Sequence, residues 1–185
     1  MRSRLLHAFG FLCPHSFIVF HNTLRNELTQ HICEKTEKKD HDNRCYNHDN
    51  RGPAERNAGG HAAVWEGCQT FSGSWGFHRD ELSWKTAKQC IDLLVNHVSR
   101  GGNLLMNVGP TSRGYLDRRA LERLADYANW MEYHARSIYG CGAAPAEFPE
   151  PRDCRYTWNP ATNQLYLHIM NWPFGRIRLE NLAGK

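Results

Sequence analysis

Gly101-Gly102-Asn103-Leu104-Leu105-Met106-Asn107-Val108-Gly109-Pro110-Thr111 closes one element, builds a second and stops it. The glycine pair suits a helix C-terminus, where a residue tolerant of left-handed backbone is needed. Residues 103–108 form a nearly continuous apolar run, the pattern of a short strand buried on both faces. Gly109-Pro110 then breaks the strand. Upstream, Ser83 is placed to cap a helix over 84–99, with Ala87, Ile91, Leu94, Val95 and Val98 at helical spacing. Downstream, Asp117 is placed to cap a helix over 117–136, with Leu121, Leu124, Ala128 and Met131 as its apolar stripe. Helix, strand and helix joined by short loops predict an α/β unit.

Beyond Gly140 the pattern changes. Residues 141–151 carry three prolines and read as a linker. Residues 155–158 and 164–171, joined by Asn159-Pro160-Ala161-Thr162-Asn163, predict a β-hairpin, because Leu165, Leu167 and Ile169 alternate with Tyr166, His168 and Met170. Residues 176–179 predict a further strand. The chain also changes near Gly59. Residues 1–58 hold six of the eleven histidines and no tryptophan. Within them, 34–56 is almost entirely polar and predicts a loop or disorder, since such a stretch buries too little surface to offset its ordering entropy. Residues 5–20 are apolar without clean periodicity, open to a short helix or strand.

Composition bounds the function. The chain has 185 residues, 41% hydrophobic and 23% charged, a globular balance. A complete (β/α)8 barrel takes about 250 residues, so any barrel here is partial. The net charge of +4 is spread without like-charge runs, which argues against a nucleic-acid partner. No apolar run approaches about 18 residues, so no membrane span is predicted. The seven cysteines are odd in number, irregularly spaced and without a C-x-x-C pair, so no disulfide framework is indicated. The short N-terminal apolar run carries His7 and lacks a clear cleavage site. Both points favour a cytoplasmic location over secretion.

The chemistry concentrates in Val64-Trp65-Glu66-Gly67-Cys68-Gln69-Thr70-Phe71-Ser72-Gly73-Ser74-Trp75-Gly76-Phe77, which sets a carboxylate among aromatics and small polar residues. Trp65 and Phe71 are placed to desolvate Glu66 and raise its pKa, as a general acid requires; the plain alternative is a surface or salt-bridged glutamate. Asp80 and Glu81 are rivals, or simply favour a helix N-terminus. Trp75, Gly76 and Phe77 suit a stacking wall for a sugar, or an aromatic core cluster. His78 and Arg79 can donate to hydroxyls, or face solvent. Asn107 either projects to a ligand or bonds the Gly109-Pro110 turn. His31, Cys33, His41, Cys45 and His48 offer zinc-ligand types without a consensus spacing, and no metal or cofactor is assigned. Phosphate-loop, nucleophile-elbow and H-E-x-x-H motifs are absent from the sequence.

Trp65-Glu66-Gly67-Cys68-Gln69-Thr70, Ser74-Trp75-Gly76-Phe77, the run from Gly101 to Pro110, Asn129-Trp130-Met131 and Ser137-Ile138-Tyr139 stand in an order that resembles α-L-fucosidases of glycoside hydrolase family 29, over residues 59–185. The resemblance implies the C-terminal units of a TIM-like (β/α)8 barrel over 59–140, then a linker and the start of a C-terminal β-sandwich over 141–185, with an irregular, unassigned 1–58. It implies a retaining hydrolase of terminal α-L-fucosyl linkages in glycans, with Glu66 as general acid/base and Trp65, Trp75, Phe77 and His78 against the sugar. Phe77 stands where the family usually has tyrosine. The family's nucleophilic aspartate lies near upstream tryptophans; no tryptophan precedes Trp65 here, and residues 1–58 carry no family motif. The chain alone is therefore expected to be inactive. The alternatives are a non-catalytic carbohydrate-binding or degenerate fragment, and a zinc-binding N-terminal module.

Overall fold

A computed structural model describes residues 17–20 and 66–182. Three strands form the first sheet: β1 (Phe17–Phe20), β2 (Glu66–Thr70) and β3 (Asn103–Asn107). β3 is central, with β1 on one side and β2 on the other. β2 runs parallel to β3, Glu66 opposite Asn103 and Thr70 opposite Asn107. Parallel neighbours need a crossover, supplied by helix α1 (Ala87–Val98). β1 pairs antiparallel to β3, Phe17 opposite Asn107. The α/β class is as the sequence predicts, but the described part is a small mixed sheet, and the antiparallel β1 departs from an all-parallel barrel. The segment 34–56 and the cysteines and histidines considered for zinc lie outside the described residues.

The cap of α1 is Thr86, three residues later than the predicted Ser83. Thr86 accepts from Gln89 N while the Gln89 side chain accepts from Thr86 N, a reciprocal capping box that satisfies two otherwise orphaned donors. Residue 84 is unavailable to the helix because Trp84 bridges to Ser72. At the other end Gly101 adopts φ +74, and Gly102 N and Gly101 N donate to the carbonyls of His97 (2.9 Å) and Val98 (2.9 Å). This is the double closure that the glycine pair predicts.

The second helix, α2 (Arg118–His134), is capped by Asp117 and runs into a 3-10 turn over Ala135–Ser137. Its buried stripe is Ala120, Leu124, Tyr127 and Met131, rotated from the predicted one, for Leu121 is 47% exposed. The α1 residues Cys90, Leu94, Val95 and Val98, the β3 residues Leu104 and Met106, and this stripe make one core, to which Phe71 and Ile138 also belong. β3 is covered on both faces from Leu104 to Asn107, as an unbroken apolar run requires.

β4 (Gly142–Ala143), β5 (Cys154–Asn159) and β6 (Gln164–Ile169) form a second, antiparallel sheet in that order. The predicted hairpin is present. The strand expected over 176–179 is not; those residues are irregular. The second sheet is tied to α1 and to the 3-10 turn by polar bridges. Arg155 Nε donates to Asn96 Oδ1 of α1 at 2.9 Å, and the buried Thr157 hydroxyl donates to the Ser137 carbonyl at 2.7 Å. With its proton so used, Thr157 accepts from His168 Nε2 at 2.9 Å, which fixes the proton on that nitrogen.

His168 lines a groove of ≈ 490 Å³ between α1, α2 and β6, which it shares with Lys88, Asp92 and His134. Burial, with a smaller effect from His134, pushes its pKa down to about 4. A histidine depressed in the fold stays neutral there while the unfolded chain protonates near pH 6.5. The unfolded chain then binds more protons, so stability is full above that pH and falls between about 6.5 and 4, by roughly 3 kcal/mol. His168→Gln keeps the donor to Thr157. It is expected to flatten that limb of the urea midpoint against pH; an unchanged limb would show that His168 is not its source.

Candidate functional site

β2 and β3 are parallel, so their C-terminal ends, Thr70 and Asn107, lie side by side. In parallel α/β sheets, ligand sites gather off that edge, where the loops leaving the strands meet. Here they are the loop 71–86 after β2 and the loop 108–117 after β3.

The first loop is stapled from beneath. Phe71, 1% exposed, plunges into the core, packing edge-on against Tyr127 with ring centroids 6.1 Å apart. The Thr70 and Ser72 hydroxyls both donate to the Ser74 carbonyl, at 3.1 and 3.0 Å. Asn107 Nδ2, from the end of β3, donates to the next carbonyl, that of Trp75. Lys85 Nζ donates to the Thr70 carbonyl at 2.7 Å. From α2, Arg119 lies over the Trp84 ring at 4.7 Å and donates to the carbonyls of Glu81 (2.7 Å) and Arg79 (3.1 Å). Its guanidinium also holds the Asp117 carboxyl down at about 2.

Glu81 ties the loop across its waist. It accepts from Ser74 Oγ at 2.6 Å and from Ser83 N at 2.7 Å. The Ser74 bond first, then the Ser83 bond, lower its pKa. A carboxylate bonded in this way stays ionised at neutral pH and cannot deliver a proton there. Glu81, a rival for the acid role in the sequence, is thus a loop clamp. Asp80, the other rival, faces Arg79 on the surface.

On this frame Trp75 and Phe77 stand at 47% and 39% exposure. The core-cluster alternative therefore fails, and the pair is a solvent-facing wall with His78 beside it. The cleft beneath, lined by Thr70, Ser72, Phe77, His78, Asn107 and Gly109 among others, has a cavity volume of ≈ 10 Å³. That is room for one water, so any larger ligand would meet the wall from outside. Asn107 Nδ2 bonds the Trp75 carbonyl and not the Gly109-Pro110 turn, so it holds the wall.

The structure does not bring Glu66 to this wall. Glu66 begins β2 opposite Asn103, at the far end from Thr70 and Asn107. Four residues of strand separate the ends by about 13 Å. Trp65 lies outside the described residues. Among the described residues no group of three His, Cys, Asp or Glu side chains is placed to hold a metal ion. The sequence missed the clamp of Ser72, Ser74 and Glu81 and the tether of Arg119. The only signal was the Ser-x-Ser spacing before an acid, which many surface loops share.

A family model described as Alpha-L-fucosidase matches residues 15–136. The match begins well inside residues 1–58, which corrects the expectation that this stretch has nothing of the family. The chain is 34% identical to plasma alpha-L-fucosidase of Rattus norvegicus over 125 residues, covering 65% of this chain and 27% of the relative. To that of Homo sapiens it is 33% identical over 113 residues, 59% of this chain and 24% of the relative. Among solved structures, alpha-L-fucosidase isoenzyme 1 from Paenibacillus thiaminolyticus aligns with a TM-score of 0.65 and 39% identity, over 70% of this chain and 30% of its own. An alpha-L-fucosidase of Bacteroides thetaiotaomicron, trapped as a covalent intermediate with 2-fluoro-fucosyl fluoride in a Glu-to-Gln variant, aligns with a TM-score of 0.56 and 28% identity, over 61% of this chain and 26% of its own. The chain spans about a quarter of the length of the curated relatives it matches.

Proposed function

The chain belongs to the alpha-L-fucosidase family, and from that premise we propose that it is part of the TIM-like catalytic domain of a retaining α-L-fucosidase, contributing one wall of the fucose site. The observation that carries this is the exposed Trp75 and Phe77 pair, held by main-chain staples at the C-terminal edge of two parallel strands. Aromatic faces in that place stack on the C–H surface of a pyranose, and His78 supplies a hydrogen-bond donor at the rim. The substrate class is a terminal α-L-fucosyl linkage in a glycan or glycoside.

A retaining glycosidase uses two carboxylates, one as nucleophile and one as general acid/base. Glu66 is the residue we assign to general acid/base chemistry. The support is the family pattern around Trp65-Glu66-Gly67-Cys68. No residue of this chain is assigned as the nucleophile, and without one the covalent route is closed. A specific observation favours a second reading, that of a non-catalytic fucose-binding fragment. Glu66 starts its strand at the end away from the wall, and Glu81, which bonds Ser74 beside the wall, is held ionised.

One pair of measurements separates these readings. Fucose binding to the full chain, followed by ligand-detected NMR, is expected in the wild type and expected to be lost in Trp75→Ala; no binding by the wild type overturns the fucose site. Release of fucose from an aryl α-L-fucoside is expected to be negligible. Measurable release that Glu66→Gln lowers by about 100-fold or more would establish catalysis by this chain and overturn the binding-only reading.

A further inference from the structure

We infer that Asn107 and Gly109 at the end of β3 are positioning residues, which set the height and tilt of the Trp75-Gly76-Phe77 wall and so decide how tightly it holds a sugar. The inference rests on the fucose-site reading above and adds to it the device that shapes the site.

Two consecutive carbonyls of the wall are clamped from two different strands. The Ser74 carbonyl takes the hydroxyls of Thr70, at the end of β2, and of Ser72, in the loop just past it. The Trp75 carbonyl takes Asn107 Nδ2, from the end of β3. Asn107 is 5% exposed and its own carbonyl accepts from Phe71 N at 3.4 Å, so one residue ties β3 to both the start and the crest of the loop. A buried amide reaching 32 positions back along the chain fixes a distance that no local turn would fix.

Gly109 supplies the second constraint. Its Cα lies flush against the Gly76–Phe77 peptide, and a Cβ there would collide with the Gly76 carbonyl carbon and the Phe77 nitrogen. The need for glycine is thus at Gly109, not at Gly76, where an added Cβ would meet nothing within 4 Å. Asn107 pulls the crest down, and the missing side chain of Gly109 sets how far it comes. The aromatic side chains remain exposed while their backbone is held, which spares a ligand the cost of ordering them.

The test uses the full chain with 19F-labelled tryptophan. Wild type is expected to give one sharp, ordered Trp75 resonance. Asn107→Ala and Gly109→Ala are expected to broaden or split it while Trp158, on β5, is unmoved, and to weaken fucose binding about tenfold or more. A global loss of structure would move Trp158 as well. If either variant fails to fold, Thr70→Val removes one donor to the Ser74 carbonyl at nearly constant volume and carries the same expectation in milder form. An unchanged Trp75 resonance in the variants overturns the inference, as does a changed resonance with unchanged fucose affinity. If wild type binds no fucose, the fucose-site reading fails, and the tryptophan spectra still decide whether β3 positions the wall.

Discussion

Gly67→Ala is expected to cost about 4 kcal/mol or more, enough to unfold much of the population of a domain of ordinary stability. Gly67 is buried within β2, opposite Leu104. A Cβ added there would land on the His97 imidazole, within its ring atoms. The ring has no easy retreat. His97 is 1% exposed, its Nδ1 is bonded to the Leu93 carbonyl at 2.6 Å, and its neighbours Leu94 and Val98 are as deeply buried. Overpacking of a filled site ordinarily costs about 1–3 kcal/mol; here the backbone of β2 must also part from the helix. The measurement is a urea titration of wild type, Gly67→Ala, His97→Ala and the double variant. Vacating the ring's space is expected to make the double variant clearly more stable than the sum of the single losses. A wild-type midpoint for Gly67→Ala would refute the close approach.

Tyr127→Ala carries the other large effect, about 4 kcal/mol, within the range for deleting a buried aromatic ring. Tyr127 is fully buried at the centre of α2, against Phe71 and beneath α1. Its hydroxyl donates to the Cys90 carbonyl. Tyr127→Phe keeps the ring and loses that bond, and is expected to cost only about 1 kcal/mol. The ratio of the two losses in chemical denaturation reports whether packing or the hydroxyl dominates; comparable losses would show that the hydroxyl dominates. Because Phe71 rests on this ring, Tyr127→Ala is also expected to loosen the loop that carries Trp75 and Phe77.

The elements whose signal is local were legible in the sequence. Gly101-Gly102 marked the end of α1, Asp117 the start of α2, and the unbroken run after Gly102 a strand buried on both faces. What was not legible was set by contacts distant in sequence. Ser83 and Thr86 are both able to cap a helix, and Thr86 takes the role because Gln89 completes its box while Trp84 is drawn to Ser72. The α2 stripe was misplaced because Tyr127, an aromatic with a hydroxyl, reads as amphipathic. Its burial depends on the Cys90 carbonyl 37 positions away. The fucosidase-like pattern was plain in Trp65-Glu66-Gly67-Cys68 and Ser74-Trp75-Gly76-Phe77, but motif order places residues on a strand without saying which end faces the site. Hence Glu66 and the wall, neighbours in sequence, stand at opposite ends of β2. Residue type makes Glu81 a candidate acid, since it says nothing of the two serines that keep it ionised.

The clamp on the wall grips peptide groups and ignores what they carry. Thr70, Ser72 and Asn107 all bond to carbonyl oxygens of residues 74 and 75, a handle that every amino acid possesses. Those grips impose no identity on the side chains at 75 and 77, so a lineage can exchange aromatic for aliphatic or polar groups there without dismantling them. Innovation at the wall and conservation of its mounting become separable. A fold that fixes an exposed aromatic pair through the main chain leaves those two positions free to vary one residue at a time.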